Sequence, residues 1–420
     1  MDNIPLIWQE LQKNNFKIST DTRKDLKASV YFALKGENFD GNNYIKEALE
    51  KGAIASVTDN PEKIGENIYL VDNVLKTLQL ISNKYRKEFN IPILVIGGSN
   101  GKTTSRELIS EVLKTKYKVY VTKENLNNHI GLPLSILQMP KDSEIGIFEI
   151  GANHKGEHTN LLNILEPNMV VVTNNGMDHL EGFGSPEGVR EANKEIYDWA
   201  LQNKALAFVN KDLEDLVEDS SKLKRILYPE FEISYSHGDF LRVKFEETEY
   251  TTNLVGDYNI LNIELALSVA KYFDISPDAS LKAVSELKPF TKRSELIEKD
   301  GNTFILDCYN ANPSSMKLSL ESFANSFQKP KGLILGDMLE MGSYSGVEHK
   351  KIVDLVKEKD FDVVVFVGNN FKNILEEDFD YKWFPNSEEV RVWFEKKHFK
   401  GFTFLLKGSR GLKIEKIIGM

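Results

Sequence analysis

Short apolar runs alternate with segments of helical period along most of the chain. Over residues 1–88 the pattern predicts a helix near 4–14, a strand at "VYFAL" and a helix at "NNYIKEALEKG". Strands at "AIASVTD" and "IYLV" and a helix over 74–88 complete that stretch. The alternation resumes with "IPILVIGG", a helix over 102–116, and the runs "KVYVT", "EIGIFEIG" and "NMVVVTNN". Apolar runs without polar alternation, separated by helices, mark strands buried on both faces of a parallel sheet. Residues 205–252 hold several short strand-like pieces expected to decorate that sheet, followed by a helix at "NILNIELALSVAKYF". Pro289, within "ELKPFTKRSEL", separates two periodic regions and predicts a domain boundary. Beyond it, "TFILDCYN", "KGLILGD", "DVVVFVG" and "TFLLKGS" are each followed by a helical pattern. The expected fold is α/β in three domains: a small α/β unit over 1–88, a central parallel-sheet domain over 89–290, and a Rossmann-like domain over 291–420.

Composition narrows the class. The 420 residues are 41% apolar and 28% charged, as in a soluble globular protein, and no run approaches the ~18 apolar residues a membrane helix needs. The N-terminal "MDNIPLIWQELQKNN" has no basic n-region and no small-residue cleavage site, so no signal peptide is expected. The one cysteine, Cys308, excludes an internal disulfide framework and fits a reducing compartment; nothing beside it suggests a nucleophile, and it reads as packing. A formal net charge of −10 argues against nucleic-acid binding but leaves room for a local basic pocket. A cytoplasmic monomer without nucleic-acid or membrane partners is expected.

The segment "ILVIGGSNGKTTSRELI" carries the first chemistry. The common phosphate loop is G-x-x-x-x-G-K-[ST], and its first glycine would fall at Ile96. Here the loop is one residue tighter, running Gly98, Ser99, Asn100, Gly101, Lys102, Thr103, Thr104. It still follows an apolar strand and opens a helix, where glycine N–H groups and the helix dipole favour phosphate. Lys102 would reach the terminal phosphates, and the Thr103 hydroxyl would face Mg²⁺. A ligand-free glycine turn is the alternative, but Lys-Thr-Thr at a helix N-terminus has little packing use.

This tight loop resembles the ATP loop of the Mur ligases and folylpolyglutamate synthases, which form amide bonds through acyl phosphates. Other segments resemble that family in the same order: "NLNNHIGLPLSIL", "EIGANHKGE", "TNNGMDHLEGFGS", "LDCYNANPSSM", "LGDMLEMG" and "LLKGSRG". The N-terminal "STDTRKDLKASVYFALKGENFDGNNYI" resembles the UDP-binding domain of Mur ligases, so the resemblance spans nearly the whole chain.

The resemblance implies roles residue by residue. Glu149, at the end of "EIGIFEIG", becomes a Mg²⁺ ligand, where it could otherwise face water at the sheet edge. His179 becomes a ligand to a second Mg²⁺; a lone loop histidine is otherwise a surface residue. Asn127 and Asn128 would donate to phosphate oxygens, or serve as turn residues. Asn259 resembles a nucleotide-contacting asparagine, with a helix N-cap as the alternative. Arg293 resembles an arginine that reaches ATP phosphates on domain closure, and Asp307, Asn310 and Asn312 would contact ATP from the third domain. Thr22, Arg23, Gly36, Asp40, Gly41 and Asn43 fall in the segments matching the UDP-substrate site. The Arg23 guanidinium would suit a diphosphate or a peptide carboxylate. Ser409 and Arg410 are candidates for the substrate side of the third domain. One departure stands out in "GVREANKEIYDW": Asn193 occupies the position where many relatives carry a carbamylated lysine. Lys194 comes one residue later, about 100° around the helix, so Asn193 or a water is expected to stand in for the carbamate.

Within the family, "DCYNANPSSM", "LGDMLEMG" and "EIGANHKGE" imply ligation of D-Ala-D-Ala to UDP-N-acetylmuramoyl tripeptide, with ATP and Mg²⁺. The alternatives are a sister ligase adding a single amino acid and a non-catalytic binding protein. The first is disfavoured because no D-N-P-R-type segment is found in the C-terminal domain, where "LGDMLEMG" stands instead, and the second has only Asn193 in its support.

Overall fold

The computed structural model describes residues 3–123, 125–236, 238–288, 293–376 and 380–420. The boundary expected near Pro289 lies outside the described residues. These form two compact units: the first runs to Val95 and takes in Lys118–Ala152 and Gly156–Met169, and the second comprises Ile96–Tyr117, Asn153–Lys155 and Val170–Met420.

The strands pair largely as the apolar runs require. Ile18–Ser19, Val30–Phe32, Ala55–Thr58 and Ile68–Leu70 make a parallel sheet in that order. Its small core gathers Leu26, Tyr31, Ala33, Ile45, Ala48 and Ala53. A six-stranded sheet has the order Arg225–Tyr228, Leu206–Asn210, Met169–Val172, Ile93–Gly97, Ile145–Glu149, Val119–Val121. Every residue of Ile93–Gly97 is buried, which explains why that run is apolar throughout.

The region 205–252 divides. Leu206–Asn210 and Arg225–Tyr228 extend the six-stranded sheet in parallel. Ile233–Ser236, Arg242–Phe245 and Thr248–Thr251 instead form a separate antiparallel meander. Only Val243 is fully buried in "RVKF", as suits a sheet with one solvated face.

The C-terminal sheet has the order Glu295–Lys299, Asn302–Asp307, Thr403–Lys407, Lys331–Gly336, Val363–Val367, Lys382–Phe384. All its pairings are parallel except the first, a hairpin turning at Asp300 and Gly301, both at positive φ. That Asp-Gly pair is a hairpin signal that the period-based reading passed over. The helix expected after "TFLLKGS" is two 3₁₀ turns instead, Arg410–Leu412 and Ile414–Ile418, because Lys413 between them is left-handed at φ 51°. Phe304, Leu306, Ile334, Val365, Phe404, Leu406 and Ile414 fill the core with Cys308. The Cys308 thiol donates to Leu406 O at 3.1 Å, in keeping with a packing role.

Candidate active site

The phosphate-loop segment follows the strand Ile93–Gly97 and opens the helix Lys102–Lys114 of the second unit. Gly98 sits at φ 107° and Gly101 at φ 83°, conformations that side chains rarely adopt. A Cβ on Gly98 would lie 2.4 Å from Thr173 Oγ1, so the loop backbone runs hard against its neighbour. Ser99 N donates to Asn174 O at 3.0 Å, and Asn100 N donates to Asn174 Oδ1 at 3.1 Å. The Ser99 hydroxyl donates to Asp178. Lys102 Nζ turns back onto the loop, donating to Gly98 O and, at 2.9 Å, to Ser99 O. The ammonium therefore stands over the loop whose N–H groups would cradle a phosphate. Ser105 donates to Asn262 Oδ1 at 2.9 Å, and Asn262 in turn donates to Asn259 Oδ1 at 3.0 Å. Asn259 is buried and donates to Val255 O at 2.8 Å; it occupies the N-cap position of Ile260–Tyr272, yet its side chain caps nothing.

Glu149 lies in the first unit, at the carboxyl end of Ile145–Glu149, and is only 3% exposed. It does not face water as an edge carboxylate would. Asn127 Nδ2 donates to its Oε1 at 2.9 Å, fixing the orientation of the carboxylate. Asn128 Oδ1 accepts from Ile130 N at 3.1 Å and Gly131 N at 2.8 Å, a turn role that starts the helix Gly131–Leu137.

Back in the second unit, His179 is left-handed at φ 48° and precedes the short helix Leu180–Phe183. Its Nδ1 lies 2.5 Å from Glu340 Oε2. The hydrogen bond from His179 holds the Glu340 carboxyl below its usual range. Asn193 is buried in the helix Pro186–Asn203 and donates to Asn175 Oδ1 at 2.9 Å; Asn175 donates to Asp215 Oδ2 at 2.7 Å. Lys194 points elsewhere and pairs with Asp198 one turn on.

The third-domain candidates divide by geometry. Asn312 caps the helix Pro313–Ser326 through a capping box with Ser315, and its Nδ2 donates to Asn100 Oδ1 at 2.8 Å. The "YNANP" turn thus meets the phosphate loop directly, and Ser314 Oγ accepts from Met177 N at 3.2 Å beside it. Asn310 bonds its own turn, at Ala311 N. Arg293 stacks 3.7 Å from the Tyr309 ring centroid, with Arg410 at 5.3 Å from the same ring. Asp307 is taken up internally by the buried Lys407 and by Ser319 Oγ at 2.9 Å. Removing one partner of such a pair strands the other charge. Lys407→Ala is therefore expected to lower stability by about 3–5 kcal/mol, read as a fall in the urea midpoint, with Asp307→Asn restoring part of it in the double variant. Ser409 is buried, accepts from Leu339 N at 2.9 Å, and so staples the 337–341 loop.

At the N-terminus, Arg23 is 88% exposed and its guanidinium forks onto Asp21 at 2.8 Å. Hydrogen bonding from Arg23 depresses the Asp21 carboxyl to about 2. Thr22 is buried, with its carbonyl accepting from Lys51 Nζ at 3.0 Å. Asp40 caps the 3₁₀ turn Gly41–Tyr44, and the Gly41 backbone packs on Leu34 O. Gly36 lies on an exposed two-residue strand, and Asn43 is exposed. Its neighbour Asn42 is the buried one, accepting from Thr58 and donating to Asp59. Sequence reasoning passed over Asn42, Asn174, Asn175, Asp178, Asp215, Tyr309 and Glu340. All but Asn175 and Asp215 hold a named candidate or its loop in place. Those two anchor Asn193.

Among the described residues, no three His, Cys, Asp or Glu side chains gather into a cage for a metal ion. The His179–Glu340 pair suits a cation ligand, since ligating imidazoles commonly donate their other N–H to a carboxylate. No described helix is long and apolar enough to cross a membrane.

Three stretches match Mur ligase descriptions: the Mur ligase family catalytic domain over residues 17–116, the Mur ligase middle domain over 96–270, and the Mur ligase glutamate ligase domain over 292–410. The chain is 34% identical to the UDP-N-acetylmuramoyl-tripeptide–D-alanyl-D-alanine ligase of Bacillus subtilis, covering 96% of this chain and 92% of that one. The enzyme of that name from Rickettsia prowazekii is 31% identical, covering 94% and 93%. Among solved structures, the MurF ligase of Thermotoga maritima in complex with ADP aligns with TM-score 0.83 and 26% identity over 96% of both chains. MurF of Acinetobacter baumannii aligns with TM-score 0.87 and 24% identity over 97% of both, a likeness of fold.

Proposed function

This chain belongs to the Mur ligase family, and from that premise we propose that it joins D-Ala-D-Ala to UDP-N-acetylmuramoyl tripeptide with conversion of ATP to ADP and phosphate. The observation that carries this reading is the tight phosphate loop, with left-handed Gly98 and Gly101 and Lys102 at the helix N-terminus. Its likeness to the two ligases runs over nearly the full length of the chain.

The terminal carboxylate of the tripeptide attacks the γ-phosphorus, the bond to the ADP oxygen breaks, and an acyl phosphate forms. The amine of D-Ala-D-Ala then attacks the carbonyl carbon. The tetrahedral adduct loses a proton and expels phosphate, leaving the amide. Activation replaces oxide, a poor leaving group, with phosphate.

Lys102 exchanges its bonds to Gly98 O and Ser99 O for phosphate oxygens and stabilises charge as the phosphoryl group transfers. Thr103, Glu149 and His179 are the residues that would hold Mg²⁺, which supplies charge neutralisation on the phosphates. Asn128, Asn259, Arg293, Asn310 and Asn312 complete the nucleotide contacts, with Asp307 acting from behind through its neighbours. Residues 1–88, with Thr22, Arg23, Gly36, Asp40, Gly41 and Asn43, take the UDP substrate; Arg23 would trade Asp21 for an anionic group of that ligand. Residues 89–290 bind ATP, and residues 291–420 bring Ser409 and Arg410 to the substrate side. The protein acts as a cytoplasmic monomer.

Asn193 or a water would stand in for the carbamate in ordering a second metal. The buried bond from Asn193 to Asn175, against the outward ion pair of Lys194 with Asp198, supports this assignment. Lys194→Ala is expected to keep activity within about twofold, since an exposed ion pair contributes little, and bicarbonate should have no effect. Loss of activity rescued by bicarbonate, or a carbamate mass on Lys194, would contradict it.

The reading is tested by phosphate release from ATP with UDP-muramoyl tripeptide present. Release stimulated by D-Ala-D-Ala and not by single amino acids is expected. Stimulation by a single amino acid would indicate a sister activity, and no release with any amine would sink a ligase function.

A further inference from the structure

We propose that Glu340 is a positioning residue for His179: it holds the imidazole in the Nδ1–H tautomer and so directs the Nε2 lone pair toward a divalent cation. The inference rests on the reading of His179 as a cation ligand.

Three observations carry it. Glu340 Oε2 lies 2.5 Å from His179 Nδ1, within reach of a direct hydrogen bond. A carboxylate accepts and cannot donate, so a neutral His179 must place its proton on Nδ1, leaving Nε2 as the ligating atom. The two segments are also joined through the backbone: Glu181 N donates to Glu340 O at 3.0 Å. A Cβ on Gly342, at φ 52°, would stand 3.2 Å from Glu181 Cα, so the loop approaches as closely as a glycine permits.

The loop bearing Glu340 is itself held at several points, which separates this pair from an incidental surface contact. Met338 N donates to His349 Nε2 at 3.0 Å, and His349 Nδ1 reaches Ser345 O at 2.7 Å. Leu339 N donates to the buried Ser409 hydroxyl, and Asp337 accepts from Asn370 N and Phe371 N. Glu340 follows these anchors directly and is left-handed at φ 62°. The "LGDMLEMG" segment thereby presents one carboxylate to one histidine, and Ser409 and His349 brace the loop that does so.

The test uses the full-length protein with ¹⁵N-labelled histidine and, separately, Mn²⁺ titration followed by electron paramagnetic resonance in the presence of ADP. In the wild type, the His179 signals, assigned by their loss in His179→Ala, should report the Nδ1–H tautomer. Glu340→Gln keeps an oxygen acceptor and should keep both the tautomer and Mn²⁺ affinity within about threefold. Glu340→Ala should lose the tautomer preference and weaken Mn²⁺ by roughly tenfold or more, the scale seen when an outer partner of a metal ligand is removed. An Nε2–H tautomer in the wild type, or a Glu340→Ala protein with unchanged Mn²⁺ affinity beside a weakened His179→Ala, would overturn the proposal alone. Unchanged Mn²⁺ affinity in His179→Ala would overturn the ligand reading on which it rests.

Discussion

Lys102→Ala is expected to lower ATP-dependent phosphate release by about a hundred- to a thousand-fold, the scale of removing one preorganised electrostatic donor from a transition state. The ammonium stands over the glycine loop, and among the described residues its bonds go to the Gly98 and Ser99 carbonyls. Those bonds brace nothing outside the loop, so thermal unfolding should stay close to that of the parent protein. That combination distinguishes a chemical role from a structural one. Lys102→Arg should recover little, because a planar guanidinium cannot replace a compact ammonium within so tight a loop. Activity of Lys102→Ala within tenfold of the parent would remove the loop from the chemistry.

Gly98→Ala is expected to damage both fold and nucleotide binding. Gly98 is at φ 107°, and its Cβ would fall 2.4 Å from Thr173 Oγ1 and 2.7 Å from Thr173 N. The threonine side chain could turn away, but its backbone nitrogen, just past the strand Met169–Val172, is held by a 3.0 Å bond to Gly97 O. Backbone strain of about 1–3 kcal/mol adds to overpacking of about 1–3 kcal/mol, so a loss of roughly 2–6 kcal/mol is expected in urea unfolding, together with a large fall in ADP affinity. Gly101→Ala provides the comparison. There the Cβ meets Asn262 Oδ1 at 2.6 Å, the end of a side chain that can swing, and the destabilisation should be smaller. Equal, small effects at both glycines would mean that the loop is not under the constraint its geometry implies.

The α/β alternation was legible because buried parallel strands leave unbroken apolar runs, as in "ILVIG" and "FILD". The phosphate loop was legible because glycine spacing and Lys-Thr at a helix start have few other uses. What escaped detection depends on register or on distant partners. Asn42 and Asn43 are equally polar neighbours, and only the turn capped by Asp40 decides that the first is buried and the second exposed. Arg23 reads as an available anion ligand until Asp21, two residues before it, is seen to occupy its fork. Glu340 and His179 are remote in sequence, as are Asn193 and Asp215, and no local pattern announces either connection. The C-terminal 3₁₀ turns kept the apolar spacing of a helix while Lys413 broke its continuity.

Activation of a carboxylate as an acyl phosphate, followed by capture with D-Ala-D-Ala, is tested most directly by following an oxygen atom. UDP-N-acetylmuramoyl tripeptide carrying ¹⁸O in its terminal carboxylate is incubated with the protein, ATP, Mg²⁺ and D-Ala-D-Ala, and the products are weighed by mass spectrometry. The expected result is UDP-muramoyl pentapeptide together with inorganic phosphate that has gained one ¹⁸O. Absence of the pentapeptide, or its formation with phosphate free of ¹⁸O, would contradict it.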